Sequence, residues 1–265
     1  MEAIKEELDK MVQRHNPKQA DSATGTHTPS ILKLPVEVCT VCGYEYRQTT
    51  DGMCDDCRRQ KEYKDKLLQD QKEHPEHLFT NWGVPKKHIQ SSFENYHGGD
   101  EVKKYLLEAS KNNQDILLCG KTGCGKTHLA VSIIRGKIER ATKPFSEYYS
   151  EKKPAIFITV PELLFEIRQT FNAKDGDENE KCIVDRYSET SLLILDDLGA
   201  EKTTEWAESI LYLIIDRRNR DEKWTIVTSN LTLPEIEQTL GARIASRLSD
   251  MKVINIKLPD YRKKR

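Results

Sequence analysis

The sequence predicts an α/β protein, with a mostly parallel central sheet in its larger part and a small metal-binding module ahead of it. Three observations carry this reading. From about residue 78 onward, short apolar runs alternate with amphipathic stretches, the pattern of strands joined by crossover helices. The stretch LLCGKTGCGKTHLA, residues 117 to 130, puts a glycine-rich loop between one such strand and one such helix. Four of the seven cysteines fall as Cys39-x2-Cys42 and Cys54-x2-Cys57, the spacing of a tetrahedral Zn²⁺ site.

In chain order, residues 1 to 20 place Ile4, Leu8, Met11 and Val12 at helical spacing, a narrow apolar stripe on a charged helix that either folds back or docks a partner. The stretch NPKQADSATGTHTPS, residues 16 to 30, is rich in Pro, Ser, Thr and Gly and reads as a linker. The first segment is therefore 1–30, a helix and linker. The second is 31–75, the zinc-binding module and a charged tether, RRQKEYKDKLLQDQKEHPEH, which reads as a solvated helix ending near Pro75. Within this module Tyr44, Tyr46 and Arg47 either stack on a nucleotide base or pack around the metal. A module this short buries little core, so the metal is expected to supply most of its folding energy.

The third segment, 76–265, holds strand candidates at Asp115–Cys119, Ala155–Val160, Leu192–Asp196, Trp224–Thr228 and Val253–Ile256, the first four each followed by a helix candidate. Pro161 and Pro234 fit the first turns of two of those helices, where a missing N–H is harmless. Leu129, Ile133 and Ile138 mark the buried side of the helix that leaves the glycine-rich loop. A net charge of -1 gives no global signal for nucleic acid, so any such contact must be local. No apolar run reaches bilayer length, and MEAIKEELDKMVQRH carries acids where a signal or transit peptide would not, so a cytoplasmic protein without a membrane partner is expected.

The chemistry follows from the loop. Gly120, Gly125, Lys126 and Thr127 match G-x-x-x-x-G-K-[ST]. Glycines let backbone N–H groups face the phosphates of ATP, the helix N-terminus adds its positive dipole end, Lys126 reaches the outer phosphates and Thr127 gives a hydroxyl to Mg²⁺. Thr122, Gly123, Cys124 and His128 join this nucleotide-binding set. LLILDDLG, residues 192 to 199, delivers two carboxylates at a strand end: Asp196 for Mg²⁺ and Asp197 to orient and deprotonate the attacking water. Asn230, after the strand WTIVT, is a γ-phosphate sensor candidate. Arg243 and Arg247, four apart, share a helix face that is either solvated or reaches a neighbouring subunit's γ-phosphate.

The order GKTGCGKT, LLILDDLGAEKTTEW, TIVTSNL, LGARIASRL resembles the DnaC/DnaI helicase loaders and the related IstB transposition helper ATPases, within the AAA+ superfamily, over about residues 80 to 261. The resemblance implies an AAA+ P-loop NTPase fold and a slow ATPase, slow because the second acid is Asp where most AAA+ proteins have Glu. It also implies Walker A at Gly120 to Thr127, Walker B at Asp196 and Asp197, sensor 1 at Asn230, and an arginine finger at Arg247 with Arg243 as second choice. VPKKHIQSSFENY, residues 84 to 96, is similar to the segment that holds adenine in these proteins, with Ile89, Phe93 and Asn95 either as the contacts or as core packing. The chain stops soon after its last strand, which leaves no room for the usual helical lid; Arg262 in DYRKKR is a substitute nucleotide or DNA-phosphate contact, or part of a frayed tail.

The implied function is ATP-dependent loading of the replicative hexameric (DnaB-type) helicase onto single-stranded DNA, with self-association through the finger. The zinc module or the N-terminal helix would grip the helicase. The alternatives are an IstB-like helper that binds duplex DNA and a transposase, and a nucleotide-gated adaptor that barely hydrolyses ATP. The long segment after the second strand of the domain, with Arg168 and Lys174, is the expected DNA contact.

Overall fold

The computed structural model describes residues 36–47, 52–144, 155–172, 179–200 and 204–261. The expected N-terminal helix and linker, Lys174 and Arg262 lie outside these. Contacts divide the chain into two compact units between Arg59 and Gln60.

The first unit contains an antiparallel pair, β1 (Val36–Val38) and β2 (Glu45–Arg47), in register Glu37 to Tyr46. The helix α1 (Asp55–Glu73) follows, with Asp55 and Asp56 in its first turn and Lys72 in its last, both favourable to the helix dipole. The division falls within α1, in the expected tether, and Leu68, on the second unit's side of it, packs against that unit's own core.

The second unit opens with α2 (Pro75–Asn81), a 3-10 turn at Lys86–His88 and α3 (Asp100–Lys111). Its sheet consists of β3 (Ile116–Gly120), β4 (Ala155–Thr159), β5 (Leu192–Leu198), β6 (Trp224–Ser229) and β7 (Lys252–Ile256). All five are parallel, in the order β4-β5-β6-β3-β7. Between them run α4 (Lys126–Glu139), α5 (Val160–Gln169), a 3-10 turn at Thr170–Asn172, α6 (Glu180–Glu189), α7 (Glu205–Arg220), α8 (Leu233–Leu240) and α9 (Ala242–Ser249).

Alternation along the strands makes two cores. Leu117, Cys119, Leu193, Leu195 and Val227 face α5 through α9, while Ile116, Leu118, Leu192, Ile194 and Ile226 face α2, α3 and α4. Both faces of a parallel sheet are thereby covered. Pro161 and Pro234 do sit in helix first turns, and the caps Thr159 and Thr232 each form a reciprocal box with Glu162 and Glu235. The segment between β4 and β5 contains both α5 and α6, more than one crossover helix, as its length predicts. Among the described residues no helix is long and apolar enough to cross a membrane.

Candidate functional site

Strand order explains the site. β3 lies between β6 and β7, with β5 next to β6, so the loop after β3 meets the carboxyl ends of β5 and β6. Here a cleft of about 820 Å³ opens, lined by Lys126, Thr127, Asp196, Asp197 and Asn230 among others.

The loop delivers its backbone to α4 through two left-handed glycines, Gly123 at φ 79° and Gly125 at φ 92°. Space demands glycine as well. A Cβ on Gly125 would lie 2.6 Å from the Tyr96 ring, and one on Gly123 would lie 1.7 Å from the Asp260 carboxylate. The Gly123 carbonyl accepts from the Tyr261 N–H at 3.1 Å. Tyr96, itself buried, donates its hydroxyl to the Cys124 carbonyl at 3.1 Å and stacks obliquely on His128 at 5.5 Å between centroids.

Lys126 Nζ donates to Asn230 Oδ1 at 2.7 Å, to the Gly120 carbonyl at 2.9 Å and to the Lys121 carbonyl at 3.2 Å. Thr122 also donates to Asn230 Oδ1, at 3.4 Å. The Asn230 amide and the Lys126 ammonium are thus in direct contact, a link between residues 104 apart in sequence. Thr127 Oγ1 donates to both oxygens of Asp196, at 2.9 and 3.0 Å, and Thr228 Oγ1 donates to Asp196 Oδ1 at 2.7 Å. Burial pushes the Asp196 carboxyl above its ordinary pKa, opposed first by the Thr228 hydrogen bond. Thr127 and Asp196 therefore form a paired oxygen donor set suited to Mg²⁺, and the buried carboxylate gains from a cation at that point.

The approach segment divides. Asn95 and Tyr96 line the cleft, whereas Ile89 and Phe93, expected to contact adenine, pack against the core on the α4 side of the sheet. The segment is tied to α4 by Arg135, which donates to the Ser91 carbonyl at 2.8 Å and also to that of Ile89. His128 Nε2 contacts the Ser92 carbonyl at 2.9 Å, and since a carbonyl only accepts, the ring donates. Sequence reasoning passed over Tyr96, Arg135 and Thr228, although Tyr96 adjoins Asn95 and Thr228 lies two residues before Asn230.

The arginines of α9 are placed differently from each other. Arg247 pairs with Asp216 of α7 at 2.7 Å, while Arg243 is exposed. Arg168 lies over the Trp206 ring at 5.1 Å, and Phe171 meets the same ring edge-on at 5.4 Å. Phe165 and Phe171 are exposed, so this cluster presents aromatic and cationic surface together.

In the first unit Cys39 and Cys42 flank the turn between β1 and β2, and Cys54 and Cys57 open α1. The four sulfurs lie within 4.8 Å of one another, with Cys42 and Cys54 at 3.8 Å. A regular tetrahedron with Zn–S of about 2.3 Å has edges of about 3.8 Å, so the donors fit Zn²⁺ closely. The Cys54 N–H donates to Cys39 Sγ at 3.4 Å. That bond, followed by one from Cys42, pulls the Cys39 thiol down to about 6. Burial, then the neighbouring cysteines, push the Cys57 thiol up. A dication removes this conflict by stabilising all four thiolates together. The Tyr44 side chain is exposed.

The profile of the IstB-like ATP binding protein family matches residues 104–265. The replicative helicase loader DnaC of Buchnera aphidicola subsp. Baizongia pistaciae (strain Bp) is 29% identical over 192 residues, covering 69% of this chain and 73% of its own. The protein YdaV of Escherichia coli (strain K12) is 26% identical over 229 residues, 83% of each chain. The crystal structure of the DnaC helicase loader superposes with a TM-score of 0.53 at 22% identity, covering 65% of this chain and all of the other (100%). The last likeness establishes the AAA+ fold.

Proposed function

The chain belongs to the family of IstB-like ATP-binding proteins, and from that premise we propose that it is an ATP-dependent loader of the replicative hexameric helicase onto single-stranded DNA. One observation carries the reading: the phosphate loop, Asp196, Asp197 and Asn230 converge on a single cleft in a chain whose relatives include helicase loaders.

ATP would lie with its phosphates on the backbone N–H groups of Gly123 to Thr127, exchanging the contacts that Lys126 now makes with Asn230 and two carbonyls. Mg²⁺, held by Thr127 and Asp196, neutralises phosphate charge when bound. Asp197 accepts the proton of the attacking water as the water oxygen bonds to the γ-phosphorus and the bond to the bridging oxygen breaks, leaving ADP and phosphate. Asn230 orients that water or the γ-phosphate. An arginine of α9 completes a neighbouring subunit's site, which ties turnover to self-association; Arg247 must first exchange its Asp216 partner, whereas Arg243 is already exposed. The face formed by Phe165, Arg168, Phe171 and Trp206 suits single-stranded DNA, because aromatic faces stack bases of any sequence and arginine adds phosphate or cation–π contact. The zinc module, with Val38, Val41 and Tyr44 exposed, is the grip for the helicase.

The test is light scattering of the zinc-loaded protein mixed with its host's replicative helicase, with and without ATP, for the full chain and for a chain lacking residues 1 to 75. A stoichiometric complex that the truncation abolishes supports the loader. The IstB-like family match leaves room for a second reading, the transposition helper that the sequence resemblance also implies. Assembly on duplex DNA with no affinity for the helicase would establish that reading instead.

A further inference from the structure

Consecutive residues of a strand point to opposite faces, yet Asp196 and Asp197 both line the nucleotide cleft. The pairing of β5 with β6 explains it. Leu195 pairs with Val227 and Leu198 with Ser229, so two residues, Asp196 and Asp197, stand opposite Thr228 alone. This is a β-bulge, a device that re-aims side chains at strand ends. Asp197 takes a left-handed φ of 58°, a conformation Asp tolerates better than most residues. Thr228 is fully buried between apolar strands, where a hydroxyl is unfavourable unless bonded. Its Oγ1 accepts from the Asp197 N–H at 3.0 Å and donates to Asp196 Oδ1 at 2.7 Å. One oxygen thus satisfies the backbone group that the bulge takes out of the ladder and also holds the first carboxylate.

We propose that Thr228 is a positioning residue for ATP hydrolysis, its hydroxyl closing the bulge that turns both carboxylates into one cleft. The inference rests on reading the cleft as a Mg²⁺-ATP hydrolysis site. Thr127 holds Asp196 from the other side, so loss of the Thr228 hydroxyl leaves Asp196 with one hydroxyl donor and the Asp197 N–H without its partner.

Thr228→Val keeps the shape and removes the hydroxyl; Thr228→Ser keeps the hydroxyl and removes the methyl. For each, turnover of ATP, binding of a fluorescent ATP analogue in Mg²⁺ and in its absence, and thermal unfolding would be measured on the full chain. For Thr228→Val, kcat is expected to fall about a hundredfold, with KM for Mg²⁺-ATP rising by no more than about tenfold. The gain in analogue affinity on adding Mg²⁺ is expected to shrink about tenfold, while affinity without Mg²⁺ stays at the wild-type value. Thr228→Ser is expected to lie within about threefold of wild type in both. Wild-type turnover and Mg²⁺ response in Thr228→Val would overturn the inference, as would a Thr228→Ser protein as impaired as Thr228→Val, which would assign the effect to packing of the methyl group. Should Thr228→Val unfold, Thr228→Ala takes its place in every arm. If the wild-type chain binds Mg²⁺-ATP but shows no turnover, the hydrolysis reading fails separately, and the Mg²⁺ response alone decides the role of Thr228.

Discussion

The two units hold their functional groups in place by different physics. Around the phosphate loop, Leu117 and Cys119 on one face of β3 and Ile116 and Leu118 on the other are buried in two apolar cores, so the loop is anchored by burial on both sides. Around the cysteine cluster the described apolar side chains Val38, Val41 and Tyr44 are exposed, and Cys39 and Cys57 are the buried ones. Burial of apolar surface is distributed and tolerates the loss of one contributor, whereas a four-sulfur site concentrates folding energy at one point and fails as a whole.

The largest effect should therefore come from the smaller unit. Replacing Cys54 with Ser, or stripping zinc with a selective chelator, is expected to unfold residues 36–59, since structural zinc contributes on the order of 10 kcal/mol to such modules. Limited proteolysis with zinc quantification would show cleavage there, with the thermal transition of the larger unit unmoved. A shift of that transition would break the contrast.

Next in size is a place where the larger unit also depends on a concentrated polar contact. Arg218 is 1% exposed and donates to the carbonyls of Tyr187, Ser188, Thr190 and Trp224 and to Thr225 Oγ1. Burial pulls its pKa down to about 9. Arg218→Met leaves those buried carbonyls without their donor and is expected to cost about 3–5 kcal/mol in urea unfolding. A loss under about 1 kcal/mol would show that burial alone sustains this corner.

Asp197→Asn addresses chemistry with the fold intact. Turnover is expected to fall by about a hundredfold or more, with nucleotide affinity and melting temperature preserved. Unchanged turnover would make the protein a nucleotide-gated adaptor.

The smallest effect concerns pH. Burial pulls His128 below its ordinary value of 6.5, so the unfolded chain binds the proton more readily than the folded one. Stability is then full above about pH 6.5 and falls as pH drops through that value toward the folded pKa. His128→Gln should flatten this acid limb in melting curves between pH 7.5 and 5.5, while the zinc unit loses metal over its own range. An identical limb in the variant would assign it elsewhere.

Much of the larger unit is legible from residue order, because apolar alternation fixes strands and Pro161 and Pro234 fix helix starts. The limits of that reading are tertiary. Asp115, expected in β3, accepts from the Thr225 N–H at 2.7 Å through its carboxylate and lies just before the strand. β5, expected to stop at Asp196, continues to Leu198 because a bulge absorbs the acids. The Arg247–Asp216 pair joins residues 31 apart, which no local pattern signals. Phe93, which the resemblance implies as a base contact, is partly buried and packs against the core, the alternative that the sequence leaves open beside it. The cysteine spacing, by contrast, contained the whole four-sulfur cluster, since four thiols at two knuckles need no distant partner.

The most direct test of the loader is retention of the host's replicative helicase on circular single-stranded DNA, measured with and without this protein and ATP. The protein and ATP together are expected to raise the number of helicase hexamers retained per circle, and Asp197→Asn is expected to bind helicase but alter its release. Equal retention with and without the protein, with assembly driven by duplex DNA instead, would contradict the loader reading.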